Sequence, residues 1–271
     1  MKESANNYLD ELENEAIGII LEVYAFFKNP VILFSGGKDS IVLTHLARKV
    51  FHPLRIPFSI LHIDTGHNFN ETIQYRDALI QNFGLKLIVG SVQESINLGR
   101  VVEETHLEAS RNVLQTRTLL DTINANKIDC AMGGARRDEE KSRAKERFFS
   151  HRSDEGVWDP RNQRPEIWKR FNTRHNKGEH FRVFPISNWT ETDIWEYIQR
   201  EQIHVPDLYF AHEREVIRRN NTWISNSVFV NLRPDEIVET KKIRFRTLGD
   251  ITITGGIESS AETIQELINE V

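Results

Sequence analysis

Val31-Ile32-Leu33-Phe34-Ser35-Gly36-Gly37-Lys38-Asp39-Ser40-Ile41-Val42-Leu43-Thr44 passes from an apolar run through a glycine pair into helical spacing. Val31–Phe34 is a short, wholly apolar run that reads as a buried strand. Ahead of it, apolar side chains at helical spacing from Tyr8 to Phe27 predict a helix that Asn29-Pro30 stops. Behind it a glycine turn leads into an amphipathic helix from about Ser40 to Val50. The same alternation continues outward. Strands are expected at Phe58–Asp64, Leu85–Gly90 and Ile128–Met132, with helices near Glu71–Phe83 and Val113–Asn126. Apolar strands alternating with helices predict an α/β fold of Rossmann type, a parallel twisted sheet with helices on both faces.

In such sheets ligands sit beyond the carboxyl ends of the strands, so the segments after each strand carry the functional reading. Ser35-Gly36-Gly37-Lys38-Asp39-Ser40 offers a tight glycine turn, backbone N–H groups and the positive end of a helix dipole. Lys38 adds a full charge and a candidate catalytic group; Ser35 and Ser40 add hydroxyls. The spacing is not that of the Walker loop, G-x-x-x-x-G-K-S/T. It resembles the pyrophosphate loop of the adenine-nucleotide α-hydrolase superfamily, which splits ATP between its α and β phosphates. Asp64, in the second segment (His62–His67), suits either a ribose hydroxyl or a plain Asp-Thr-Gly turn. The third segment begins Gly133-Gly134-Ala135-Arg136-Arg137-Asp138-Glu139. A helix from Arg136 would put Arg136, Glu140, Arg143 and Arg147 on one face and aim Arg136 and Arg137 at the phosphates; a solvated, ion-paired face is the other reading for Arg143 and Arg147. Asp138 or Glu139 is available to Mg²⁺, though no spacing requires either. Ser91–Glu94, after the remaining strand, is assigned nothing.

The chain has 271 residues with a formal net charge of −5, which provides no general basic field for nucleic acid. One cysteine excludes a disulfide framework and suits a reducing compartment. The polar, acidic start and the lack of an apolar run of about 20 residues predict a soluble cytoplasmic protein. Residues 1–205 are expected to form the nucleotide-binding unit and 206–271 a smaller C-terminal subdomain. Within the first, His151–His180 shows little periodicity; with Trp158, Asp159, Arg161, Asn162, Arg164 and Trp168 it is a candidate lid over the substrates or a face packed on a partner. A helix opened by Thr190, with Asp193 in its first turn, follows; Ser259 and Glu262 are expected to box the last helix.

GGARRDEEKSRAKERFFSHR, WDPRNQRPEIW and VFPISNWTETDIWEYI give the chain a strong resemblance, from about Leu9 to Ile268, to the small catalytic subunit of bacterial two-subunit sulfate adenylyltransferases. The W-T-x-x-D-I-W pattern at Trp189–Trp195 is shared with phosphoadenylyl-sulfate reductases as well. The resemblance implies ATP plus sulfate giving adenylyl sulfate and pyrophosphate, with Mg²⁺ on the phosphates and a GTP-hydrolysing large subunit as partner. It makes Lys38, Arg136 and Arg137 the catalytic candidates, Ser35, Gly36, Gly37, Asp39, Ser40, Asp64, Gly133 and Gly134 the ATP-binding set, and Arg143, Arg147, Arg161 and Arg164 the sulfate or phosphate candidates. Sulfate is already an anion, so such a site needs positioning and positive charge rather than a general base. Three departures stand out: Gly36 where the family usually has isoleucine, Asp250 after FRTLG where it usually has cysteine, and a basic tail that family members carry beyond the position of Val271. They leave room for a paralogue using another oxyanion. A reductase would need a thiol near the C-terminus, and the single cysteine, Cys130, falls in a predicted strand. Transfer to a flavin precursor and a non-catalytic nucleotide sensor are the remaining alternatives.

Overall fold

The computed structural model describes residues 2–106, 109–139, 146–158, 166, 171 and 173–271. The chain opens with α1 (Lys2–Phe26), whose apolar stripe, Leu9, Leu12, Ala16, Ile19, Ile20 and Val23, is buried. Then come β1 (Pro30–Leu33), α2 (Lys38–Phe51), β2 (Ser59–Asp64), α3 (Asn70–Phe83), β3 (Leu87–Ser91), α4 (Val92–Asn97), α5 (Gln115–Ala125) and β4 (Cys130–Met132). The sheet is completed by β5 (Phe149–Arg152) and β6 (His180–Val183) in the order β3-β2-β1-β4-β6-β5. All pairs are parallel except β5 on β6. That edge strand lies at the start of the stretch read as aperiodic, so the candidate lid is anchored on the sheet by Phe149–Arg152.

Successive residues of β1 face opposite layers, as the pleat requires. Ile32 enters the main core with α1, α2 and α6 (Glu191–Arg200). Val31 packs with Leu61, Ala131, Ile123 and Ile128 under α5. Both faces of the sheet are thus covered, which is why its central strands β1 and β4 are wholly apolar. Thr190 and Asp193 form a reciprocal capping box on α6, as expected.

After a short 3-10 turn at Asp207–Tyr209, β7 (His212–Arg219), β8 (Thr222–Ser225), β9 (Glu239–Phe245) and β10 (Gly255–Glu258) close into a small antiparallel barrel, and α7 (Ile264–Glu270) ends the chain. Val216, Ile243, Phe245 and Leu267 belong to the main core, so the barrel is seated on the sheet layer. Its own interior is only Ile217, Ile224 and Val230. The box that opens α7 is Thr263 with Glu266, one turn later than Ser259 and Glu262. Ser259 Oγ is instead bonded to Glu270, and Glu262 is paired with Lys242 Nζ at 2.6 Å.

Candidate functional site

The strand order changes direction at β1: chain order runs outward through β2 and β3 on one side and resumes with β4 on the other. That switch point leaves a crevice between the loops after β1 and β4, the place where an open α/β sheet receives a ligand. Ser35–Gly37 and Gly133–Asp138 face each other there. A Cβ on Gly134 would lie 2.9 Å from both the carbonyl carbon and the Cβ of Asp39, so the β4 loop runs against the first turn of α2 with no room for a side chain. Gly36 turns with φ +80°, and a Cβ there would meet Thr72 Cγ2 at 2.2 Å. At Gly134 backbone leaves no space for a side chain, and at Gly36 the positive φ favours glycine.

Local bonds hold the loop open-ended. Gly37 N–H donates to Ser35 Oγ at 3.2 Å, and Ser40 Oγ–H donates to the Gly37 carbonyl at 2.8 Å. His62 Nδ1 donates to the Phe34 carbonyl at 2.8 Å, tying the loop's entry to β2; burial keeps that imidazole below its ordinary pKa and neutral. Gly37, the residue before α2, supplies no side-chain cap. The Lys38 amide donates to the hydroxyl of fully buried Tyr209 at 2.7 Å. Burial pushes the Tyr209 phenol well above its usual range, so it stays protonated.

Lys38 is only 1% exposed. Its ammonium lies 3.6 Å from Asp39, 3.5 Å from Glu191 and 3.2 Å from the Arg246 carbonyl, with the Trp195 and Tyr209 rings each at 6.0 Å. Arg136 is 3% exposed; its Nε donates to Asp39 at 2.7 Å and its Nη1 to Asp138 at 2.5 Å. Asp138 in turn accepts the Glu191 amide at 3.0 Å, and Arg246 Nη2 donates to Glu191 at 2.7 Å. Lys38, Arg136 and Arg246 therefore alternate with Asp39, Asp138 and Glu191 around the start of α2. Each buried cation is thus paired with a carboxylate, as burial of charge requires.

The helix expected from Arg136 is absent from the described residues: 133–136 are extended loop and 137–139 a turn. The Arg137 amide donates to the Ser187 carbonyl at 2.9 Å, which ties the segment to the approach to α6. The Arg137 guanidinium reaches Asn188 and stacks on Phe148 at 4.8 Å, outside the Lys38 network. Arg147 lies by the edge strand, in the field of Glu166. Arg143, Arg161 and Arg164, with Asp159, Asn162 and Trp168, lie outside the described residues. Asp64 accepts the Gly66 amide at 2.7 Å, the turn-forming geometry. Its neighbour Thr65 donates to Asp250 at 2.6 Å, and Arg111 Nη1 holds the Thr65 carbonyl at 2.9 Å. Beyond this loop a cavity of about 580 Å³ opens between Arg111, His67 and Phe229; its mixed lining sets the carboxylates Glu103 and Glu104 beside Arg111 and Arg219.

Tyr209, Glu191 and Arg246 were missed by sequence reasoning, although Glu191 follows a cap and Arg246 sits in the singled-out FRTLG segment. Cys130 is fully buried in β4, and burial raises its thiol pKa. The chain therefore has no nucleophilic thiol for reductase chemistry.

The sheet, the switch-point crevice and the glycine loop define a class: the chain matches the phosphoadenosine phosphosulfate reductase domain over residues 29–256. In fold it is similar to the FMN adenylyltransferase of Candida glabrata solved with FAD and inorganic pyrophosphate, with a TM-score of 0.54, 13% identity, and coverage of 76% of this chain and 62% of that one. Within the class the match narrows. Sulfate adenylyltransferase subunit 2 of Mycolicibacterium gilvum is 56% identical over 264 residues, spanning 97% of this chain and 84% of that protein. Its counterpart in Mycobacterium tuberculosis is 55% identical with the same coverage. The chain belongs to the sulfate adenylyltransferase subunit 2 family.

Proposed function

We propose that this chain transfers the adenylyl group of ATP to sulfate and releases pyrophosphate. The observation that carries the chemistry is the convergence of buried Lys38 and Arg136 on the first turn of α2, which Gly37 precedes without a side-chain cap. Sulfate as acceptor rests on the relatives. A sulfate oxygen attacks the α-phosphorus, the bond to the β-phosphate oxygen breaks, and the electron pair leaves with pyrophosphate; no proton moves. Lys38, Arg136 and the α2 amides offset the charge that gathers on the leaving group. Arg137 and Arg147, and beyond the described residues Arg143, Arg161 and Arg164, are the further candidates for holding anions.

Mg²⁺ prefers six oxygen donors and commonly takes most of them from phosphates and water. Asp138 has one oxygen on Arg136 and the other on the Glu191 amide, and no group of three or more metal-ligating side chains occurs among the described residues. These residues fit an ion held by the nucleotide, with one carboxylate, Asp138 or Glu139, as its protein ligand. Such an ion would neutralise the departing pyrophosphate.

The relatives are named as second subunits. A GTP-hydrolysing partner would supply the driving force that forming a sulfate–phosphate anhydride needs. Among the described residues no helix is long and apolar enough to cross a membrane, and the proposed setting is the cytoplasm. The test is pyrophosphate release from Mg²⁺–ATP across a panel of oxyanions, with and without the GTPase subunit. Release with sulfate is expected; a preference for another oxyanion would replace sulfate as the acceptor, and no release with any of them would overturn adenylyl transfer.

A further inference from the structure

Arg246 comes from the barrel, far in sequence from the glycine loop, yet it completes the Lys38 cluster. The preceding residue, Phe245, is fully buried in the main core and packs on Phe69 with ring centroids 5.0 Å apart. This fixes where β9 ends, and the Arg246 carbonyl accepts from Lys38 Nζ at 3.2 Å. Its guanidinium lies across the mouth of the cluster, with its side chain 52% exposed, and Nη2 donates to Glu191 at 2.7 Å. Glu191 is shared: its other oxygen lies 3.5 Å from Lys38. Against the upward push of burial, Lys38 and Arg246 hold the Glu191 carboxyl below its usual pKa, so it is an anion between two cations.

A half-exposed Arg–Glu pair adds little to folding stability, too little to explain an arginine poised beside a buried lysine. A guanidinium has five donors in a planar fork suited to phosphate or sulfate oxygens. Among the described residues Arg246 commits one nitrogen, Nη2, to a hydrogen bond. The Glu191 carboxylate occupies the position that an anionic oxygen would take between Arg246 and Lys38.

We propose that Arg246 is an oxyanion ligand of this site, binding a tetrahedral anion that replaces Glu191 on its guanidinium. The anion is either a phosphate group of ATP or the sulfate acceptor. The inference rests on the proposed function, since both anions belong to that reaction.

Calorimetric titration of the purified chain with Mg²⁺ and α,β-methylene-ATP, followed by sulfate into the complex, separates the two sources. In Arg246→Ala one of the two affinities should fall by about ten- to a hundredfold, the range of a charge-assisted hydrogen bond. A loss confined to the nucleotide assigns Arg246 to phosphate; a loss confined to sulfate assigns it to the acceptor. Arg246→Lys should recover part of the loss. Glu191→Gln should keep or tighten binding of the same anion, because a competing carboxylate is gone. Wild-type affinities in Arg246→Ala would overturn the assignment, as would a Glu191→Gln loss equal to that of Arg246→Ala, since the pair would then be merely structural. If Arg246→Ala fails to fold, Arg246→Lys and Glu191→Gln carry the comparison. A wild-type chain that does not bind the nucleotide analogue would overturn the ATP reading itself, a different failure.

Discussion

Lys38 is shielded from water and surrounded by more negative than positive charge. A buried ammonium is tolerated only when paired, and Asp39 and Glu191 pair it here. Lys38→Met keeps most of the aliphatic volume and removes the charge. Turnover should fall by about a hundred- to a thousandfold, the cost of losing one preorganised donor to developing charge, while the melting temperature moves by only a few degrees. Pyrophosphate release beside thermal unfolding checks this; an unchanged rate would reduce the loop to a turn. Asp250 poses the opposite problem. Burial raises its pKa despite the hydrogen bond from Thr65. A carboxyl whose folded pKa is raised favours the fold below its unfolded value near 3.8 and loses that contribution as pH rises through the folded value. Asp250→Asn, which still accepts from Thr65, should therefore be at least as stable as wild type at pH 7 to 8 and gain relative to it as pH rises from about 4. Chemical denaturation of both across that range reads the difference; a variant that loses ground with rising pH would reverse the sign.

Between elements, the loop after β4 meets the first turn of α2 backbone against backbone. Gly134→Ala would put a methyl 2.9 Å from Asp39, where backbone has to give. A cost of about 1–3 kcal/mol is expected, together with weaker binding of the ATP analogue, because the shift falls on the turn that carries Lys38. Denaturant titration and calorimetry would show both, and a destabilised variant with intact nucleotide affinity would separate packing from function. This contact also marks where the sequence stops being informative. Val31–Thr44 could be read because strand, turn and helix are each written in adjacent residues, and Gly133-Gly134 because glycines after a strand have few other uses. A helix from Arg136 is the expectation for a segment that follows a glycine pair at a strand end; over 136–139 the bonds of Arg136 to Asp39 and Asp138 and of the Arg137 amide to Ser187 hold a loop and a turn instead. Ser259/Glu262 and Thr263/Glu266 satisfy the same local capping pattern, and only the packing of Glu270 against Ser259 chooses between them. Tyr209 and Arg246 reach Lys38 from 171 and 208 residues away, a proximity no local pattern encodes.

For the whole molecule, the sheet and its helices must unfold together if the core runs unbroken from α1 to the barrel. Two histidines in different layers report on that. His45 lies on α2, with its pKa lowered to about 4 by burial and then by Arg48; His180 lies on β6, lowered to about 3 by burial and then by Arg182 and Arg152. Both are neutral in the fold and take a proton near 6.5 once unfolded. Their contribution is complete above pH 6.5 and is lost as pH falls toward the folded values, at up to about 1.4 kcal/mol per pH unit for each histidine. His180→Gln can still accept from Arg182 Nε, which lies 3.4 Å from the imidazole nitrogen, but cannot titrate. Its stability should fall less steeply than wild type between pH 6.5 and 4, by about one proton's worth of slope. Equal slopes would mean that His180 is protonated in the native protein, and the shielding of the β5–β6 edge would have to be looser than its burial indicates.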